Sequence, residues 1–171
     1  MAELCDIYNN NGKKTGKVFE RGEHLNDGEL QLVTDIWIIN NNLQILIQKR
    51  SKDKKISPNI WATHGGCVAT DETSLNGCIR EAYEEIGIVL KIKDIKLLTS
   101  STSDKLIMDS YVVMQEFNIS SAVLQIEEVS DIKWVSLNEL EDMVKNKYFF
   151  NYLELPYVIE FINTQKLNRQ L

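Results

Sequence analysis

Residues 32–39 (LVTDIWII) form an almost unbroken apolar run, the pattern of a strand buried on both faces. A second strand-like run covers residues 43–48. Asn40-Asn41-Asn42 between them reads as a turn, because asparagine tolerates turn backbone. The first thirty residues are polar and turn-rich, with Asn9-Asn10-Asn11-Gly12 as a hairpin turn. Residues 52–58 read as a basic loop ending in Pro58. Residues 61–69 read as irregular chain with a short strand, centred on Gly65-Gly66.

The period then changes. Leu75, Ile79, Ala82, Tyr83 and Ile86 recur at three- and four-residue spacing, which predicts a helix with those residues as its buried stripe. Thr73 or Ser74 can cap its start, and Gly87 stops it. Residues 90–99, 106–117 and 132–135 return to strand patterning. Ser136 opens a second helical pattern through Leu137, Leu140 and Val144, and a last helix covers residues 155–163. Strands outnumber helices and do not alternate regularly with them. The expected class is therefore α+β, with helices on a mixed or mostly antiparallel sheet.

No linker, repeat or low-complexity tract divides the chain, so residues 1–171 are expected to form one domain with a sizeable core. A hydrophobic content of 43% excludes a disordered chain. The net charge of -6 argues against a partner that is a nucleic-acid polymer held by a broad basic surface. It leaves a nucleotide substrate open, since bound metal can carry the compensating charge. Cys5, Cys67 and Cys78 are odd in number and form no CxxC pair, which argues against a disulfide framework or a zinc site. The start lacks an apolar signal core and no apolar run approaches a membrane span, so a soluble cytoplasmic protein is expected.

The helix over residues 74–86 is unusual on its polar side. Glu81, Glu84 and Glu85 share one face, where three like charges repel unless cations neutralise them. Carboxylate oxygens suit magnesium or manganese. Taken alone, such a cluster reads as a solvated acidic face. The wider spacing changes that: Gly66, then Glu72 after five residues, then Arg80-Glu81-Ala82-Tyr83-Glu84-Glu85-Ile86-Gly87-Ile88 after seven more.

This resembles the box of the Nudix hydrolase family, G-x5-E-x7-R-E-U-x-E-E-x-G-U, where U is bulky and apolar. All seven fixed residues are present, with Ala82 small for the first U. A chance match is on the order of one in a million. The resemblance covers roughly residues 30–145 and implies a mixed β-sheet sandwiched between α-helices, an α/β/α fold. It also implies a hydrolase that cleaves a diphosphate linkage in a small molecule with Mg2+ or Mn2+. Glu81, Glu84 and Glu85 would hold metal, one of them acting as base toward water. Gly66 would add its backbone carbonyl, Arg80 would orient the glutamates, and Glu72 would brace the loop. A further carboxylate often comes from outside the box. Glu128 and Glu127 in QIEEVSD are the candidates, with Glu116 a weaker one.

Other features carry less. His64 beside Gly65-Gly66 could touch phosphate, though a single histidine is more often structural. Lys49, Arg50, Lys52, Lys54 and Lys55 form a basic patch that reads first as a solvated loop, then as a diphosphate-facing surface. Trp37, Trp61 and Trp134 read as core or rim. Cys67 and Cys78 read as packing residues.

The amino-terminal half also resembles isopentenyl diphosphate isomerases, in RGEHL, ILIQKRSKDKK and Trp61. Those enzymes need a cysteine and several histidines. Here their positions fall at Gly66, Val68 and Gln31, and only His24 remains. A non-catalytic nucleotide-binding module is the other alternative, and such modules usually lose box glutamates. The substrate is expected to be a small organic diphosphate; a homodimer is compatible with the sequence.

Overall fold

The computed structural model describes residues 3–103 and 105–170. Among these, nine strands join in one mixed sheet. A hairpin of β1 (Leu4–Asn9) and β2 (Lys14–Glu20) leads into the central β3 (Glu29–Ile39). There follow β4 (Ile45–Arg50), β5 (Trp61–Ala62), β6 (His64–Cys67) and α1 (Ser74–Ile86). Then come β7 (Lys96–Thr102), β8 (Leu106–Met114), β9 (Val129–Val135), α2 (Leu137–Lys145) and α3 (Leu155–Asn168).

β3 organises the sheet. One edge pairs in parallel with β8 from Gln31–Leu106 to Ile39–Met114. The other edge is shared antiparallel by β1, β6 and β4 in turn. Because side chains alternate across a strand, Ile36 and Ile38 of β3 join Leu46, Cys78, Ala82 and Ile86 in a core beneath α1. Trp37 and Ile39 join Ile45, Ile47, Leu140, Val158 and Ile162 beneath α2 and α3. Both faces of β3 are thus covered, as its continuous apolar run predicts, and the layers are helix, sheet, helix.

The Asn9–Gly12 turn forms as expected: Asn9 Oδ1 accepts from the backbone N–H of Asn11 and Lys13. Several boundaries or faces differ: β3 starts at Glu29, β8 ends at Met114 and β9 starts at Val129, and four more follow. Residues 90–99 are not one strand. A 3-10 turn at Ile92–Asp94 interrupts them, and the Gln115 side chain pins residues 89 and 91 in place of a ladder. β4 starts at Ile45 because Leu43 sits in the turn at φ 58°. The last helix continues to Asn168. Tyr83 is exposed, not buried: the face of α1 set against the sheet runs through Cys78, Glu81, Ala82, Glu85 and Ile86.

Candidate active site

Helix α1 is bounded by local chemistry. Thr73 caps it by accepting the Asn76 N–H, and Gly87 ends it at φ 73° with its N–H on the Tyr83 carbonyl. Between these ends the carboxylates divide. Glu81 and Glu85 are 7% and 4% exposed, whereas the Glu84 side chain is 48% exposed. Two buried carboxylates four residues apart lose hydration and repel, so partners must compensate.

Arg80 provides most of the compensation. Its guanidinium grips both Glu72 oxygens at 3.1 and 3.0 Å, and reaches Glu81 Oε1 and Glu84 Oε2 at 3.0 Å each. It also donates to the Cys67 carbonyl at 3.1 Å, tying helix to strand β6. Glu72 in turn accepts the Ala69 N–H, which closes the loop between β6 and α1. Burial raises the Glu81 carboxyl to about 7; the Glu85 charge adds to the rise and Arg80 opposes it.

Glu85 has different partners. Its Oε1 accepts from Gln48 Nε2 at 2.8 Å, and the same nitrogen reaches the Thr63 carbonyl at 3.2 Å. Gln48 arrives there because it shares a face of β4 with Leu46, toward α1. His64 Nδ1 lies 3.5 Å from Glu85 Oε2. That oxygen and both His64 nitrogens have no hydrogen-bond partner among the described residues.

Strand β6 meets the helix through glycines. A Cβ at Gly66 would stand 2.4 Å from Glu81 Oε1, and one at Gly65 would stand 2.1 Å from the Thr34 carbonyl oxygen. Only residues without side chains let strand, neighbour and carboxylate approach this closely. A cavity of about 350 Å3 opens here, lined by Glu3, Arg21, Arg80, Glu81, Glu84 and Glu128 among others.

A family model for the NUDIX domain matches residues 29–153. The chain belongs to the Nudix hydrolase family. An uncharacterized Nudix hydrolase of Listeria monocytogenes is 34% identical over 167 residues, covering 97% of this chain and 99% of that one. An isopentenyl-diphosphate Delta-isomerase of Pectobacterium atrosepticum is 28% identical, covering 88% of this chain and 87% of that one. The crystal structure of DR0079 from Deinococcus radiodurans superposes with a TM-score of 0.76 at 20% identity, over 92% of this chain and 98% of that one. The last shows a common fold.

Within this Nudix domain the expected site residues are placed unequally. Arg80, Glu81, Glu84 and Glu128 line one cavity, Glu128 also pairing with Lys54; Gly66 lies against Glu81 behind that lining, and Glu85 is turned to Gln48 and His64 outside it. Glu127 is exposed outside that lining. Glu116 instead accepts the Asn41 N–H at the β3–β4 turn. His64 is fully buried against Glu85 and not open to the cavity. Of the basic patch, Lys54 reaches Glu128, while Arg50 is held by the Ile56 and Ser57 carbonyls.

Three contributors were not legible in advance: Arg21 and Glu3 from the amino-terminal hairpin, and Gln48 from an apolar strand. The donor set suits a hard divalent cation, since it consists of carboxylates beside a strand carbonyl, and Glu85 Oε2 is a buried acceptor awaiting a partner. As folded, Arg80 draws Glu81 and Glu84 to itself. Among the described residues no three Asp, Glu, His or Cys side chains converge in ligand geometry.

Proposed function

We propose that this protein is a divalent-metal-dependent hydrolase that cleaves the diphosphate linkage of a nucleoside diphosphate derivative or a related organic diphosphate. The observation that carries this reading is the buried Glu81 and Glu85 on one helix, Glu81 set against Gly66, with Glu84 on the same helix at the cavity mouth. A purely structural helix gains nothing from burying two acids.

In this reading Glu81, Glu84, Glu85, Glu128 and the Gly66 carbonyl would hold Mg2+ or Mn2+. The bound cation supplies charge neutralisation at the phosphate oxygens and a more acidic water. The protein's own residues do the rest. Gln48 fixes the orientation of Glu85. Arg80, locked onto Glu72, keeps the loop and the helix in register and offsets carboxylate repulsion. Arg21 offers a cation to the substrate's negative charge. One glutamate accepts the proton of the attacking water as its oxygen bonds to phosphorus and the anhydride P–O bond breaks.

The similarity to an isopentenyl-diphosphate Delta-isomerase favours a second reading, double-bond migration. Against it, Gly66 and Val68 stand where those enzymes' cysteine and histidine are expected, Val68 is buried, and His24 is exposed outside the cavity lining. The test is incubation with nucleoside diphosphate sugars, dinucleoside polyphosphates and isopentenyl diphosphate, with magnesium and with EDTA. Metal-dependent release of a monophosphate or phosphate is expected. Isomerisation of isopentenyl diphosphate abolished by Cys67→Ser, or turnover that EDTA leaves intact, would overturn the reading.

A further inference from the structure

Strand β6 meets α1 at two points. At the first, Gly66 stands against Glu81. At the second, His64 stands against Glu85, with Nδ1 3.5 Å from Oε2. The two meetings share one repeat: two residues along a strand advance roughly 6.7 Å, and four along a helix about 6 Å. His64 therefore stands to Glu85 as Gly66 stands to Glu81, with strand and helix running in opposite directions.

His64 is fully buried, and neither ring nitrogen has a hydrogen-bond partner among the described residues. Glu85 Oε2 is buried and unpartnered as well. The other oxygen, Oε1, accepts from Gln48 Nε2 at 2.8 Å. Gln48 is held in turn by the Thr63 carbonyl, next to His64 in the chain. Buried polar groups in folded proteins are almost always satisfied, and a histidine kept for packing alone ties a nitrogen to backbone. Here the polar group facing the ring is a carboxylate with one unmet oxygen. The pair stands about half an ångström beyond ordinary hydrogen-bond range, a gap that a small rotation of either side chain closes.

We infer that His64 is a positioning residue: its Nδ1–H donates to Glu85 Oε2 and, with Gln48 on Oε1, clamps the carboxylate from both sides. Of the two ring nitrogens, Nδ1 is the one that faces the acceptor, so the proton that matters is on Nδ1. Each carboxylate oxygen has two lone pairs. A donor on each fixes the plane of the group and leaves the second pair of each for a cation. The inference rests on the metal-dependent reading above for that cation. Gly66 and His64 then divide the work of β6: one gives Glu81 room, and the other gives Glu85 a donor.

Two readouts test this on the full chain, and the first needs no metal. The chain has two histidines and His24 is exposed, so long-range proton–nitrogen NMR spectra of the metal-free protein resolve the buried ring. Nδ1 of His64 should carry a proton; a ring protonated on Nε2 alone would overturn the inference. The second readout is Mn2+ affinity without substrate, followed by electron paramagnetic resonance in the parent, His64→Asn and His64→Leu. Asparagine and leucine share one branched shape, and the asparagine amide nitrogen sits where Nδ1 was. His64→Leu should bind Mn2+ ~10-fold more weakly than the parent, the scale of losing a partner behind a metal ligand. His64→Asn should stay within about 3-fold of the parent, since it keeps the donor. Thermal melts establish that each variant is folded. If His64 only packs, the apolar leucine serves at least as well as asparagine. A leucine variant that binds Mn2+ as tightly as the asparagine variant would therefore overturn the inference alone. A parent that binds no Mn2+ would overturn the proposed function, and the role of the clamp with it.

Discussion

Helices α1 and α2 pack on opposite faces of the same sheet and obey different rules. α2 is locally consistent throughout. Ser136 and Glu139 form a reciprocal capping box, and Leu137 and Leu140 are its buried residues. α1 is capped as well, but it buries Glu81 and Glu85 alongside Cys78, Ala82 and Ile86. It holds them with Arg80, Gln48 and a glycine strand. Sites where local rules are broken and then compensated are where function concentrates. On the proposed function the contrast would make α2 a stability element and α1 a site element, and each prediction below can break or sharpen that division.

The largest effect is expected at the mouth of the cavity. Glu84→Gln removes one charge while keeping shape, and turnover on the best diphosphate substrate should fall by ~100-fold or more, the scale of losing one electrostatic stabiliser. Glu84 is half exposed, so the melting temperature should barely move. Unchanged turnover would remove Glu84 from the site.

Next comes Gly66→Ala. The added methyl would meet Glu81 Oε1, so the carboxylate must swing away. A displacement of this size should cost ~10–100-fold in turnover and roughly 1–3 kcal/mol in stability from overpacking. If turnover stays at the parent level, strand β6 does not position Glu81.

Ser136→Ala provides the reverse case. Losing the capping box should lower stability by about 1 kcal/mol in a denaturant melt and leave turnover unchanged. A large loss of activity with intact stability would place α2 in the site. The smallest effect is expected from Cys67→Ser. The strand alternates Gly66 toward Glu81 and Cys67 toward Cys5 and Phe19, so turnover should hold and stability should drop by about 1 kcal/mol.

Much of this division was legible in the residue order, because it is local. Helix periodicity, Thr73, Gly87 and the spacing from Gly66 to Gly87 depend on short-range geometry. The covered faces of β3 followed from its apolar run. What was missed depends on which distant strands meet. Tyr83 shares the spacing of the buried stripe yet sits on its outer edge. Gln48 reaches Glu85 only through the placement of β4 under α1. Asp35 looked like one polar letter in a buried strand until β6 and β8 placed it at a cavity. Arg21 belongs to a hairpin whose partners lie across the sheet.

The central claim is that α1 gives up stability to hold a cation. The most direct measurement is a thermal melt of the parent and Glu85→Gln, each with and without magnesium. Without metal the variant should be as stable as the parent or slightly more so, because a buried charge has gone. Magnesium should then raise the parent's Tm more than the variant's, since it binds only the folded site. Equal magnesium-induced shifts in both proteins would contradict the account.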